Sequence, residues 1–565
     1  MSDDAEPGLS RRQLLAAGTT GLIGTAAVPP AAGAGRRRPG AADGTPEQVH
    51  LAWGDDPARS VVVSWASPGR ALAPRVRIGQ RVIPAVERGY ADPRGGEVAW
   101  TYHAPVDGLR PGATYGYAVT ADNDRNAADP FSATFRTAPE GRAAFRFTSF
   151  GDLAAPDAAG PGPSSRSAYA VGAVESFQPL FHLLNGDLAD AGPNPPGGPQ
   201  TARDFANNLQ ASAANRPWLP VPGGHGAEPD ARDRALGSYL ARYALPGNGM
   251  PGFEGRWYDF RIGTAAFLCL SGDDVRHGYS GGAQTRWLEA ALAAARRDAS
   301  IDWVVIQLHQ CACPSSPSSS AADAAADLDL REQWLPLFDR YEVDLVLCGH
   351  GRGYERSFPV RGVDSADTLR PHPVTTVDSG VFDTSQGTVY LVLGGGGADA
   401  AGGGADAGGG SAGAAGGVRD AADGGAGAAG GGAGAAGGGA GAAGGGAGAA
   451  GGGAGAAGGG AGAAGGGAGG GRDAAWSARR DSATGYGVAV FDVNPGAEAG
   501  AQTSITVSYY HAVDAAPAPG DDPGDDPGDG GPADDYALFD TVTLVRPRSD
   551  GRRWHPKEPV ASNLA

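Results

Sequence analysis

Five short apolar runs constrain this chain more than any other feature: FRFTSFGD, PLFHLLNGD, AAFLCLSGD, WVVIQLHQ and VDLVLCGH, spread between Phe145 and His350. Each has the length of a strand, and each ends on a polar or metal-capable group. Stretches with helical spacing, Ala283 to Arg297 (AQTRWLEAALAAARR) and Leu330 to Tyr341, separate the later runs. Alternation of this kind buries a sheet between helices. Such sheets assemble their chemistry at the carboxyl ends of the strands. Residues 144–393 therefore read as an α/β domain carrying Asp152, Asp187, His309 and His350 at its strand ends.

The rest of the chain divides by composition. Residues 45–138 read as a small all-β module, with QVHLAWGDDPARSVVVSWASPG giving two strands around the turn Gly54-Asp55-Asp56-Pro57. Leu109 to Val119 carries the L-x-P-G-x-x-Y-x-Y pattern of fibronectin-type sandwiches, in which a tyrosine hydroxyl bonds to backbone at a strand corner. Residues 394–471 hold six tandem copies of GGAGAAG from Gly424 to Gly465, with looser variants on both sides. No unit carries a large apolar side chain for a coiled-coil seam, and glycine costs about 1 kcal/mol per residue in a helix. A disordered, solvated insert is the expectation. Residues 472–548 resume strand character at Tyr486–Val493, Thr503–Tyr510 and Ala537–Val545, interrupted by the acidic insert Gly520–Asp535.

At the amino end, Ser10-Arg11-Arg12-Gln13-Leu14-Leu15 is a twin-arginine pattern followed by a mild apolar run and the small residues Ala32-Gly33-Ala34. Residues 1–34 read as an export signal, placing the protein in a secreted or extracytoplasmic compartment. No later run is long enough to span a membrane. The formal charge of −18 argues against nucleic acid as a partner. Four cysteines, Cys269, Cys311, Cys313 and Cys348, lack zinc-like spacing and read as buried thiols or one bridge.

The ordered series Gly151-Asp152, Asn185-Gly186-Asp187, Leu308-His309 and Gly349-His350, with YERSFPVRG following from Tyr354, resembles the purple acid phosphatases of the calcineurin-like metallophosphoesterase superfamily. The resemblance implies an α+β, multi-domain architecture. A fibronectin-III-like β-sandwich would precede an α/β metallophosphoesterase domain, a two-sheet αββα sandwich completed by the strands after the repeat. It implies a phosphomonoester substrate, metal ions (iron with zinc, manganese or iron) and attack by a metal-bound hydroxide. Asp152, Asp187, Asp190, His309 and His350 would be the metal ligands, and His225 the catalytic residue that contacts phosphate or assists the leaving group.

Several positions depart from the family pattern. Asp190 stands where the family has tyrosine, Gly224 where it has a ligand asparagine, and Arg352 where it has a second histidine. The ion site of Asp187, His309 and His350 is the better preserved, since three protein ligands and water suffice for a catalytic divalent ion. Arg352 would replace a cation's charge or bind substrate phosphate, or else swing to solvent. The sequence leaves open two, one or no bound ions. It equally leaves open an active phosphatase and an inactive phosphoesterase-fold binding protein at the cell surface.

Overall fold

The computed structural model describes residues 43–91, 98–122, 130–153, 165–188, 199–223, 236–313, 321–351, 353–364, 367–396, 474–481, 487–512, 536–551 and 554–555. The export signal, the repeat beyond Gly396 and the acidic insert lie outside these residues, as do Asp190, His225 and Arg352.

Strands β1 (Glu47–Trp53), β2 (Val61–Ser67), β3 (Leu72–Ile78), β4 (Arg81–Pro84), β5 (Val86–Ala91), β6 (Val98–Val106), β7 (Thr114–Asp122) and β8 (Phe131–Arg136) form two four-stranded sheets. Their orders are β1-β2-β6-β5 and β4-β3-β7-β8. The sheets close on a core that includes Val63, Trp65, Tyr102, Val119 and Phe135. The two tyrosines of the sequence pattern divide their labour. The Tyr115 hydroxyl accepts the Arg110 N–H at 2.7 Å, a local corner bond. The Tyr117 hydroxyl instead donates to the Ala214 carbonyl at 2.7 Å, outside the sandwich.

The second unit opens with β9 (Phe145–Phe150), helix α1 (Ser165–Phe177), β10 (Phe181–Leu184), α2 (Pro199–Ala213), β11 (Trp218–Pro220) and α3 (Gly237–Arg242). It continues through β12 (Tyr258–Ile262), β13 (Ala265–Cys269), α4 (Gly272–His277), α5 (Ala283–Arg297), β14 (Trp303–Gln307), α6 (Ala321–Arg340) and β15 (Leu345–Cys348). Then follow β16 (Tyr354–Ser357), the hairpin β17 (Val360–Asp364) and β18 (Asp367–Pro373), β19 (Val381–Asp383) and β20 (Val389–Leu393). After the repeat come β21 (Ser477–Asp481), β22 (Gly487–Asn494), β23 (Gln502–Ala512) and β24 (Tyr536–Pro547).

Two seven-stranded sheets result, β11-β10-β9-β22-β23-β24-β19 and β12-β13-β14-β15-β20-β16-β21. The period of two along each strand explains their stacking. Trp303 and Val305, Leu345 and Leu347, and Val389 and Leu391 face inward onto Phe147, Phe181 and Phe491 of the first sheet. Val304, Ile306, Val346 and Tyr390 face outward and are covered by Leu288 and Leu292 of α5 and Trp334 and Phe338 of α6. The outer face of the first sheet packs Phe150, Leu184 and Val488 against α1 and α2. The result is the αββα sandwich expected from the resemblance. Helix α6 starts at Ala321, upstream of the Leu330 that apolar spacing indicates, because alanine favours helix without any apolar face.

The sandwich is joined to this unit by β1. Val49 N–H donates to Gln210 Oε1 at 2.7 Å, Glu47 pairs with Arg203 at 2.6 Å, and His50 Nε2 lies 3.0 Å from the Arg242 carbonyl. Helices α2 and α3 are thereby clamped between the sandwich and the strands that carry the site.

Below the β15 end opposite the site, Asp344 is fully buried. Its carboxylate takes Arg296 (2.6 Å), Arg546, Thr384 Oγ1 (2.6 Å) and Val304 N–H (2.8 Å). Burial alone would raise its pKa, and the two guanidiniums hold it below the usual carboxylate range. The group ties α5, β14, β15 and β24 together, and removing one buried charge leaves the others uncompensated. Asp344→Ala is expected to destabilise the fold by about 3–5 kcal/mol, measured by denaturant unfolding; a loss near zero would show the network is dispensable.

Candidate metal centre

The site forms where strands of both sheets end. Asp152 follows β9, Asp187 follows β10, His309 follows β14 and His350 follows β15. Single ligand atoms of Asp187, His309 and His350 all lie within 4.8 Å of one another. His309 Nε2 is 3.1 Å from Asp187 Oδ1, and its Nδ1 is 3.7 Å from Asp152 Oδ1. The His309 and His350 rings meet edge-on with centroids 5.1 Å apart. Asp152 Oδ1 accepts the His350 backbone N–H at 3.2 Å. The structure thus brings together four of the residues singled out in the sequence. No cysteine joins the three-residue ligand group, and all four cysteines are buried free thiols.

Backbone conformation aims these side chains. Asp152, Asp187 and His350 adopt left-handed φ values of 56°, 48° and 59°. Such values cost free energy outside glycine and concentrate at functional sites, where the surrounding packing holds them. The room is set by missing side chains. A Cβ on Gly349 would stand 2.3 Å from the Asn185 carbonyl and 2.8 Å from His309 Nδ1. One on Gly223 would stand 2.3 Å from Asp187 Oδ1, so the chain leading to His225 runs directly against Asp187.

His309 is fully buried, and its Nδ1 lies 2.9 Å from the Asn185 carbonyl oxygen. A carbonyl can only accept, so Nδ1 carries the proton and Nε2 presents its other face to Asp187. Nε2 makes no hydrogen bond of acceptable geometry despite that proximity. An imidazole whose far nitrogen is fixed by a backbone carbonyl, with a carboxylate beside the near one, is the usual arrangement of a metal-ligating histidine. The donor set therefore fits a divalent cation: Asp187, His309 and His350 would hold it, with Asp152 adjacent.

Two positioning residues escaped the sequence reading. Asn185 Oδ1 accepts from Gln307 Nε2 at 3.2 Å and from Ser149 Oγ at 3.1 Å, while its carbonyl fixes His309. Gln307 also donates to the Leu219 carbonyl at 3.0 Å. The available signal was a buried-type amide interrupting the apolar run WVVIQL.

Paired sheets flanked by helices, with carboxylates and imidazoles converging at the strand ends, make up a metallophosphoesterase-like domain. Residues 46–137 match the family model for the purple acid phosphatase N-terminal domain. An uncharacterized protein of Mycobacterium tuberculosis (strain ATCC 25618 / H37Rv) is 33% identical over 584 residues, covering 97% of this chain and 98% of that protein. Acid phosphatase type 7 of Homo sapiens is 25% identical over 388 residues, covering 64% of this chain and 80% of that protein. A purple acid phosphatase from yellow lupin (Lupinus luteus) seeds shares the fold, with a TM-score of 0.57 at 15% identity, over 92% of this chain and 78% of that one. The chain belongs to the purple acid phosphatase family. The family uses a dimetal centre, and the ligand atoms of Asp187, His309 and His350 lie close enough together to hold an ion.

Without a cation, the centre must hold a proton instead. Burial alone would lower the His309 pKa, but Asp187, with Asp152 beside it, raises it from 6.5 to about 10. The folded value lies above the unfolded one, so this proton stabilises the metal-free fold fully below pH 6.5. That contribution is lost as pH rises through about 10. Melting curves of chelator-treated protein should accordingly fall across that window, and Asp187→Asn should flatten the profile; equal slopes in both proteins would contradict this assignment.

Proposed function

We propose that the protein is an exported phosphomonoesterase that works with a divalent or trivalent ion held by Asp187, His309 and His350. The observation that carries this reading is the convergence of those three ligand atoms, with His309 already fixed by the Asn185 carbonyl. A cation bound there supplies a Lewis acid that polarises a phosphoryl oxygen and lowers the pKa of water. The chain's own residues do the rest. Asn185 and Gln307 hold the imidazole orientation, Asp152 restrains the His350 backbone, and Gly223 and Gly349 let the backbone approach Asp187 and His309 where a Cβ would clash. His225, on the segment leading from Gly223, is proposed to contact phosphate or assist the leaving group, and Arg352 to bind phosphate. Asp190 is proposed as a further oxygen ligand where the family has tyrosine. The Arg11-Arg12 segment is proposed to direct export.

Gly224 and Arg352, at positions where the family has metal ligands, favour a second reading: a scaffold that binds phosphorylated ligands and hydrolyses nothing. Metal-dependent turnover separates the two. Purified protein loaded with zinc, manganese or iron is expected to hydrolyse p-nitrophenyl phosphate and to stop on chelation. His309→Ala or Asp187→Asn is expected to reduce kcat/KM at least about 100-fold, since loss of a ligand exceeds the usual cost of losing its supporting partner. Phosphate affinity that persists in chelator, with no turnover under any loading, would establish the binding-protein reading instead.

A further inference from the structure

Helix α3 ends under the sandwich, and its last three carbonyls are all met by sandwich side chains. Arg88 Nη1 donates to the Leu240 carbonyl at 3.0 Å. The Ala241 carbonyl accepts from Thr101 Oγ1 at 2.7 Å and faces His103 Nε2 at 2.9 Å. The Arg242 carbonyl faces His50 Nε2 at 3.0 Å. Terminal carbonyls of this kind have no partner within their own helix, so one folding unit caps a helix of the other. Strand β1 is shaped for the task. Its register with β2 slips between Glu47 and His50, and Gln48 has a left-handed φ of 57°. That path brings the Gln48 carbonyl to 2.8 Å from His50 Nδ1.

Both imidazoles are buried, and they differ in what they face. A carbonyl can only accept, so His103 donates from Nε2 to Ala241, and its Nδ1 accepts the Ser64 hydroxyl at 2.9 Å. The neutral ring is satisfied on both sides. His50 lies between two carbonyls, of which a neutral ring can serve one. The charged groups facing the pair are cationic: Arg242 from α3 and Arg88 from β5. Tyr243, edge-on to His50 at 5.2 Å, is kept neutral by burial, which pushes its pKa up to about 12. Nearby carboxylates are engaged elsewhere, Glu47 of β1 with Arg203 of α2 at 2.6 Å and Glu87 of β5 with Arg70 at 2.9 Å. Asp204 of α2 lies in the field of Arg203. Burial, the largest effect, and Arg242 lower the His50 pKa, and its two carbonyls only partly offset them. Burial, then Arg88 and His50, push His103 down to about 3.

We propose that His50 and His103 form a proton-sensitive clasp that holds the sandwich against α3 while both rings are neutral and loosens in acid. A buried imidazole that must charge among cations, with no carboxylate to receive it, is the physical basis of such a switch. Both rings bind protons more weakly in the closed joint than in solvent. The clasp is therefore at full strength above about pH 6.5 and is lost as pH falls toward the lowered values. Its reach extends toward the metal centre. The Tyr239 hydroxyl of α3 donates to the Pro220 carbonyl at 3.0 Å, as Tyr258 does at 2.8 Å. Pro220 ends β11, and three residues further on Gly223 packs against Asp187. Releasing α3 frees one of the two hydroxyls that hold this strand end.

The test is amide hydrogen exchange of the full chain at about pH 7 and about pH 4, corrected for intrinsic rates. It is read at Leu240 and Tyr243, whose N–H groups donate to the Leu236 and Tyr239 carbonyls at 2.8 and 2.9 Å. Opening of α3 should rise about 100-fold in acid, while β7, in the sandwich's other sheet, keeps its protection. His103→Gln retains a donor for the Ala241 carbonyl and cannot take up a proton. It should lower that rise at least about tenfold, and adding His50→Gln should remove what is left. Protection of α3 that is equal at both pH values in the wild-type protein would overturn the proposal, a result that requires no variant to fold. A rise that persists in the double variant would overturn it as well. So would an equal loss at β7, which would show acid unfolding the sandwich as a whole.

Discussion

The contact between His309 Nδ1 and the Asn185 carbonyl joins the two halves of this molecule at its functional edge. Asn185 follows a strand of the first sheet and His309 follows a strand of the second, so this hydrogen bond helps tie the two sheets together at the site. Asn185 extends the same control through its side chain, which meets Gln307, Ser149 and, at 3.5 Å, the Cys348 carbonyl. Four strand ends are held by one amide residue. In a buried, low-dielectric setting such a network is strong when every member is satisfied, and here it also selects the tautomer that leaves Nε2 facing Asp187.

The geometry is maintained against local preference. Left-handed backbone at Asp152, Asp187 and His350 persists because the surrounding packing determines the chain path. That packing is aromatic and interlocked across the sheets. Phe147 stacks on Phe491 at 4.3 Å within its own sheet, and meets Phe267 of the other sheet edge-on at 5.3 Å. Strained turns above a rigid floor keep the donor atoms of Asp187, His309 and His350 close together, so an ion held there would require little reorganisation.

The sheet-forming runs were legible because their side chains alternate between two buried faces, a pattern that few other structures demand. Asp152, Asp187, His309 and His350 were legible because each terminates such a run. Asn185 and Gln307 were not, since an amide that supports a ligand looks like any buried amide until its partners are known. The span of α6 was underestimated because alanine-rich sequence forms helix without amphipathic spacing. The roles of Asp190, His225 and Arg352 rest on sequence, because all three lie outside the described residues.

Strand β22 lies between β9 and β23, so a segment encoded after the long repeat supplies the inner neighbour of the strand that leads to Asp152. Until that segment has been synthesised, β9 has β10 on one side and an unsatisfied edge on the other. An unpaired edge of this kind is prone to pair with other chains, and non-local pairing is slow because loop closure precedes its reward. Order of synthesis thus becomes a physical constraint on the protein. Nascent chains halted anywhere before Gly487 would expose the backbone edge of β9, the strand that leads to Asp152.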